Sequence, residues 1–165
     1  MHEANKKFIG GTLIGLAAFI AGFEGVVNTT YKDPIGVLTI CAGHTGVHAK
    51  PGNKMSNDQC LALLDEEAGE YRDKIVKAIN KPMAPQHVIA FTSFAFNVGT
   101  SGAASSRAIR LFNQGSYKEA CRALAYSPSG SPAWSYAGGK YFKGLHTRRI
   151  AEMNMCYEGN NELGY

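Results

Sequence analysis

Three polar residues near the N-terminus are spaced so that they could form a hydrolytic site. Glu24 is followed by Asp33 nine positions later and by Thr39 six positions after that. Hydrolysis of a glycosidic bond needs a protonated acid beside the leaving oxygen and a second carboxylate across the bond. An apolar setting keeps a carboxyl protonated and a polar one keeps it ionised, so the two groups need different surroundings.

The local sequence predicts such a difference between the two carboxyls. Glu24 ends an apolar segment beside Phe23, whereas Asp33 stands in a polar turn before Pro34. Thr39 lies on the strand that leaves this turn, where its hydroxyl could help Asp33 to hold a water molecule. On these residues alone, the alternative is a helix-end glutamate and a turn-forming Asp-Pro pair with no catalytic role.

A rival chemistry in the same stretch would use Cys41 and His44. A thiol and an imidazole can act as nucleophile and base, but such pairs normally come from separate segments. His44 and His48 are four residues apart, a spacing that converges on a metal ion only within a helix, and this stretch is typical of strand and loop. We therefore expect neither a metal site nor a cofactor.

The segment "YAGGKYFKGLHTRR" is a second candidate surface. Gly138 and Gly139 permit close approach by a ligand, and the rings of Trp134, Tyr136 and Tyr141 could stack on sugars. The alternative is a glycine-rich loop whose aromatic residues anchor it to the core.

Length and composition predict one soluble domain or two small lobes. The chain has 165 residues, 45% of them hydrophobic and 18% charged, with a net charge of +4. Its basic residues are scattered, so we expect no nucleic-acid partner.

The chain has four cysteines, Cys41, Cys60, Cys121 and Cys156. They could form two disulfides in an oxidising compartment or remain as four buried thiols, and the sequence leaves both states open.

An uncharged segment at residues 8–23 follows Lys6 and Lys7. As a helix it would extend about 24 Å, short of the roughly 30 Å hydrocarbon core of a bilayer. Two interpretations remain: an uncleaved export signal that is weakly hydrophobic and can leave the bilayer, or a buried first helix.

The rest of the chain is typical of a mostly helical α+β protein. Turn residues and β-rich alternation predict a small strand or hairpin region from Thr29 to about Lys54. A capping box of Ser56 and Gln59 begins a long amphipathic helix, and an apolar helix that closes at Gly99 is the expected centre of the core. The predicted helices span residues 56–80, 85–98, 103–113, 116–126 (with a Ser116/Glu119 capping box) and 145–156.

The spacing of Glu24, Asp33 and Thr39, followed by "ICAGHTG", resembles that of the phage-type lysozymes, the endolysins of glycoside hydrolase family 24. The segments "FAFNVGTSG" and "AGGKYFKGLHTRR" are similar to the middle and C-terminal motifs of that family. The resemblance covers the chain from about residue 20 to 156. It implies a two-lobed lysozyme fold, with a small β-containing lobe (24–55) joined by the long helix (56–80) to a helical lobe (81–165).

The resemblance also implies cleavage of the β-1,4 bond between N-acetylmuramic acid and N-acetylglucosamine in peptidoglycan. Glu24 would be the general acid, Asp33 the second catalytic carboxylate and Thr39 an assisting residue. The positions that would bind substrate or support the site are His44, Asn97, Gly138, Gly139 and Arg148.

One departure from the family pattern is Cys41, where a glycine is common. A cysteine-bearing subgroup that is similar to this chain has a signal-arrest-release N-terminus, and residues 8–23 resemble such a segment. This implies a phage-encoded monomer that is exported to the bacterial periplasm, first tethered to the inner membrane with Glu24 pulled out of its site. Cys41 could then take part in a thiol or disulfide switch.

Two other functions are alternatives to a lysozyme. A lytic transglycosylase needs only the acid, so the presence of Asp33 argues against it. A non-catalytic protein that binds the wall or disrupts membranes would depend on the apolar N-terminus and should tolerate replacement of Asp33 by Asn.

Overall fold

The computed structural model describes residues 14–165 and is an α+β structure in which helices dominate, as the sequence predicts. Seven helices and four short strands occur in that range. In chain order they are α1 (Ile14–Glu24), β1 (Val27–Lys32), β2 (Leu38–Cys41), α2 (Asn57–Ala78), α3 (Pro85–Val98), α4 (Thr100–Ala104), α5 (Arg107–Asn113), α6 (Tyr117–Ala125), β3 (Tyr136–Ala137), β4 (Lys140–Tyr141) and α7 (Lys143–Leu163).

The described residues form two compact units, 14–69 and 70–165, which we call the N-terminal and C-terminal units. The N-terminal unit holds α1, β1, β2 and the first part of α2. The C-terminal unit holds the end of α2 and all later elements. Helix α2 thus supplies residues to both units.

Helix α1 is the described part of the predicted apolar segment, since residues 8–13 lie outside the described range. It buries Leu16, Ala17 and Ile20 and exposes Ala18. Of the helices in residues 14–165, none combines the length and the apolar character that crossing a membrane requires.

Strands β1 and β2 form an antiparallel pair in which Tyr31 lies opposite Thr39 and Val27 opposite Cys41. A bulge between Val27 and Tyr31 interrupts the register. The predicted β region reaches residue 54 only through isolated bridges such as Thr29 to Lys54. Its second strand ends at Cys41 because the chain turns there, with a positive φ at Cys41 and at the following Gly43.

Helix α2 begins at the predicted capping box, which is confirmed. The Ser56 N–H donates to Gln59 Oε1 at 2.8 Å, and the Gln59 N–H donates to Ser56 Oγ at 3.2 Å. These two bonds satisfy backbone donors that the first turn of the helix leaves without partners. The helix covers residues 57–78 rather than the predicted 56–80.

Helix α3 is the centre of the C-terminal unit, as predicted from its apolar character. Phe91 and Phe94 on this helix are fully buried, and the Phe91 ring packs edge-on against Phe112 of α5 at 5.3 Å. Ala90 and Ala95 on the same helix are also fully buried. The chain leaves the helix at Gly99, whose φ of 85° is a conformation that favours glycine.

Several element predictions in the C-terminal unit are wrong. The predicted helix 103–113 is two helices, α4 and α5, separated at Ser105 and Ser106. Ser116 precedes α6 but its side chain makes no capping bond. The last helix extends over 143–163 instead of 145–156, and the loop before it contains the β3–β4 hairpin.

Candidate active site

Glu24 is the last residue of α1, and its side chain is exposed. The helix ends here because Gly25 adopts a φ of 73° while its N–H still donates to the Ala21 carbonyl at 2.9 Å. This exposure differs from the apolar setting that the sequence predicts for the Glu24 carboxyl.

Asp33 is fixed in the turn between β1 and β2. Its Oδ1 accepts hydrogen bonds from the N–H groups of Ile35 at 3.0 Å and Val37 at 2.8 Å. The Gly36 N–H donates to the Asp33 carbonyl at 2.9 Å, which closes the turn. Both side-chain bonds use the same oxygen, so the backbone sets the orientation of the carboxylate before any ligand binds.

Thr39 is held by the same turn. Its hydroxyl donates to the Val37 carbonyl at 3.1 Å, and the residue is 4% exposed. The peptide groups of Val37 therefore contact both Thr39 and Asp33. A role for Thr39 in holding a water molecule stays a prediction.

His44 lies beside α2 and pairs with Glu67. Its Nδ1 is within hydrogen-bonding distance of Glu67 Oε1, and its side chain is 11% exposed. A Cβ on Gly46 would lie 2.7 Å from His44 Nε2, so only glycine at 46 leaves room for this ring position. Sequence reasoning missed Glu67 because "LLDEEAGE" offers four carboxylates and no local signal selects one. Substrate binding by His44 stays a prediction.

Cys41 is bonded to Cys60 of α2, and Cys121 of α6 is bonded to Cys156 of α7. Of the two alternatives for the cysteines, the structure therefore has the two disulfides. With its sulfur in a disulfide, Cys41 has no thiol to act as a nucleophile beside His44. Cys41 also has a φ of 58°, in the left-handed region that favours glycine.

The remaining predicted substrate-binding residues all belong to the C-terminal unit. Asn97 is exposed near the end of α3, and Gly138 and Gly139 form the exposed turn of the β3–β4 hairpin. Arg148 is only 4% exposed. Its guanidinium donates to the Ser93 carbonyl at 3.1 Å and to Glu152 Oε1 at 3.2 Å. These contacts are typical of a structural residue, and substrate binding by Arg148 stays a prediction.

Glu152 is a buried carboxylate that the sequence analysis did not single out. Ser93 Oγ donates to its Oε1 at 2.7 Å, and the Arg149 guanidinium lies 2.9 Å from its Oε2. The spacing of "RR" at 148–149 with an acid at 152 could have indicated this cluster, since side chains three and four positions apart meet on a helix. The cluster joins α3 to α7 and is internal to the C-terminal unit.

Among the described residues, His87, Cys121 and Cys156 form a buried group of metal-ligand types. The two sulfurs are bonded to each other, and both nitrogens of the His87 ring have partners. Nδ1 accepts from the Ala84 N–H at 3.0 Å, and Nε2 faces Asn160 Oδ1 at 2.9 Å. Burial lowers the pKa of His87, so the ring is neutral near pH 7. The group is a packed core cluster.

The chain is a mostly helical α+β structure in which Glu24 ends α1 and Asp33 stands in the β1–β2 turn. Residues 21–152 match the model of the family described as phage lysozyme. The chain therefore belongs to the phage lysozyme family.

Known proteins with similar sequences match most of the length of this chain. The SAR-endolysin of bacteriophage PS119 is 39% identical over 84% of this chain and 78% of its own length, and that of Enterobacteria phage PA-2 is 35% identical over 96% of both. The solved structure of a P22 lysozyme mutant is 26% identical, with a TM-score of 0.77 over 87% of this chain and 95% of that one. The protein is thus a lysozyme, a glycoside hydrolase that acts on peptidoglycan as an endolysin.

Proposed function

We propose that Glu24 and Asp33 hydrolyse the β-1,4 bond between N-acetylmuramic acid and N-acetylglucosamine. Glu24 gives its proton to the glycosidic oxygen as the carbon–oxygen bond breaks. The negative charge of the Asp33 carboxylate stabilises the positive charge that develops at the anomeric carbon of the sugar. A water molecule then supplies hydroxide to that carbon and the proton that restores Glu24.

The observation that carries this proposal is the orientation of Asp33. Two backbone N–H groups hold its Oδ1 in a turn that directly follows the strand after Glu24. A carboxylate that is oriented before binding requires no rearrangement when charge develops in the transition state. Kinetic measurements on variants separate a catalytic Asp33 from an aspartate that only forms the turn.

Replacement of Glu24 by Gln should lower the rate of peptidoglycan hydrolysis by about a hundredfold or more, because the amide cannot donate the catalytic proton. The rate is measured by clearing of purified cell walls, and circular dichroism checks the fold. Glu162→Gln, at an exposed position near the end of α7, is the matched control and should keep full activity. Wild-type rates for Glu24→Gln would refute the assignment.

Product analysis separates hydrolysis from the transglycosylase alternative. Mass spectrometry of muropeptides should give hydrated reducing ends, whereas a lytic transglycosylase releases anhydro-muropeptides. Asp33→Asn should also lose activity. A variant that still disrupts cells with Asp33 replaced would instead favour the non-catalytic membrane-disrupting alternative.

We further propose that residues 8–23 tether the enzyme to the inner membrane before it acts in the periplasm. The uncharged sequence of this segment and the SAR-endolysin names of its relatives support the proposal. In the folded enzyme the apolar side chains on one face of α1 are buried within the protein. Burial in the protein and insertion into the bilayer would therefore compete for the same side chains.

Ala18→Lys tests the tether without altering the core, because Ala18 is exposed on α1. A lysine in a membrane segment costs about 2.5–3.5 kcal/mol, so the membrane-bound pool should fall while the purified enzyme keeps its activity. Ala18→Leu is the control. An unchanged membrane pool for Ala18→Lys, or an N-terminus shortened by cleavage in the periplasmic protein, would contradict the proposal.

The active enzyme is proposed to be a monomer, since one chain supplies Glu24, Asp33 and Thr39. Sedimentation of the soluble protein should give the mass of a single 17.7 kDa chain. A dimer at assay concentration would contradict this.

A further inference from the structure

Residues 134–143 expose an unusual number of aromatic rings, and we call this segment the aromatic hairpin. Four of its ten residues are aromatic side chains that are 40–51% exposed. Single exposed apolar residues are common on soluble proteins, whereas four such rings within ten residues indicate an interaction surface. The four are Trp134, Tyr136, Tyr141 and Phe142.

The rings are presented on an ordered scaffold. Tyr136 lies opposite Tyr141 across the β3–β4 pair, with ring centroids 5.6 Å apart in an edge-on arrangement. The Phe142 N–H donates to the Ser135 carbonyl at 2.9 Å, and Ser135 Oγ lies 3.2 Å from His146 Nδ1 on α7. Because the scaffold is fixed, little side-chain freedom is lost when a ligand covers the rings.

Trp134 has a backbone conformation that bulky residues seldom adopt. Its φ is 53°, and its ring packs edge-on against Phe94 at 5.2 Å and lies 3.8 Å from the position that a Cβ on Gly102 would take. Such strain costs on the order of 1 kcal/mol and is concentrated at functional surfaces. It holds the indole partly in the core and leaves part of the ring exposed.

The hairpin is also locally basic. Lys140 and Lys143 are exposed beside the rings, and the sequence has no Asp or Glu from residue 120 to residue 151. The surface therefore favours a partner that combines apolar faces with negative charge. Peptidoglycan has both, because the C–H faces of its sugar rings are apolar and its stem peptides carry carboxylates.

We propose that the aromatic hairpin is a binding surface for peptidoglycan strands, separate in role from the catalytic carboxylates. Tyr136 and Tyr141 stack on the faces of the sugars, and Lys140 and Lys143 pair with stem-peptide carboxylates. This inference rests on the proposed function, because it takes the same polymer as ligand. An anionic membrane is the other surface that such a patch could fit, and the test below distinguishes the two.

Binding is measured by sedimentation with purified, insoluble peptidoglycan in a Glu24→Gln background. Tyr136→Ala with Tyr141→Ala should weaken binding by about tenfold, because two stacked rings are lost. Tyr136→Phe with Tyr141→Phe keeps both rings and should bind within about twofold of the parent. Lys140→Gln with Lys143→Gln should weaken binding to intact peptidoglycan, but not to glycan whose stem peptides an amidase has removed.

Equal binding by the alanine, phenylalanine and parent proteins would overturn the inference. It would also be overturned if the alanine variant lost binding to phosphatidylglycerol vesicles while keeping its binding to peptidoglycan. Thermal unfolding of each variant confirms that the fold is retained. Failure of the proposed function is a separate readout: it would appear as digestion of the peptidoglycan by the Glu24→Gln parent itself.

Discussion

At the scale of single residues, Cys41 illustrates how one position serves two demands. The turn after β2 requires a positive φ there, which glycine adopts freely and cysteine adopts at a cost of about 1–2 kcal/mol. The bond to Cys60 ties this turn to α2, with the two Cα atoms 5.1 Å apart. The disulfide therefore offsets a strain that a glycine would avoid.

On α7, the lack of a side chain is most important at Gly159. A Cβ there would lie 2.7 Å from His87 Nε2 in a fully buried environment. We expect Gly159→Ala to lower the free energy of unfolding by about 1–3 kcal/mol, because the ring of His87 has no space to move into.

Gly144→Ala is the matched control on the same helix. No atom lies within 4 Å of its added Cβ, so this change should be neutral or stabilise by about 0.5–1 kcal/mol. Urea denaturation followed by circular dichroism gives both values. Equal effects of the two substitutions would show that the packing around His87 is looser than described.

At the scale of elements, the break between α4 and α5 shows what the helical pattern could not reveal. The sequence predicts one helix over 103–113, a stretch that contains no Gly or Pro. Ser106 ends it, because its backbone is extended (φ −64°, ψ 154°) and its hydroxyl accepts the Ile109 N–H at 3.2 Å. A serine N-cap is a known signal that was outweighed here by the run of good helix formers.

Ser106→Ala should destabilise the protein by about 1 kcal/mol, since the Ile109 N–H loses its acceptor in a buried position. Ser116→Ala is the control, because Ser116 also precedes a helix but makes no side-chain capping bond. In chemical denaturation, the free energies of unfolding of the two variants should differ by about the 1 kcal/mol expected for the lost cap. A cost for Ser116→Ala as large as that for Ser106→Ala would contradict the description of these two caps.

At the scale of the whole molecule, each unit contains one disulfide. Cys41–Cys60 spans 19 positions in the N-terminal unit, and Cys121–Cys156 spans 35 positions in the C-terminal unit. Their pairing could not be derived from the sequence, because four cysteines allow three connectivities. Only the fold brings each pair together.

Replacing both members of a pair by serine should destabilise the protein by about 3 kcal/mol for Cys41–Cys60 and about 4 kcal/mol for Cys121–Cys156, since the longer closed loop restricts the unfolded chain more. Denaturation of each double variant under oxidising conditions measures the difference. Addition of a reductant should lower the stability of the wild-type protein but change that of a four-serine variant little. A four-serine variant as stable as the oxidised protein would contradict the expectation.

The sequence by itself determined the features that depend on near neighbours. The Ser56/Gln59 box, the apolar helix that ends at Gly99 and the turn that holds Asp33 all arise from residues within a few positions of one another. The order of Glu24, Asp33 and Thr39 carries the family resemblance for the same reason, since all three lie on one short stretch.

The tertiary structure decided the contacts between residues that are far apart in the chain. Glu67 was chosen as the partner of His44 from among several carboxylates, and Arg148 was placed in the interior beside Ser93, 55 positions away. Local sequence carries little information about such pairs, because their free energy depends on which side chains the packed elements bring together. The cysteine pairing and the exposure of the aromatic hairpin were decided in the same way.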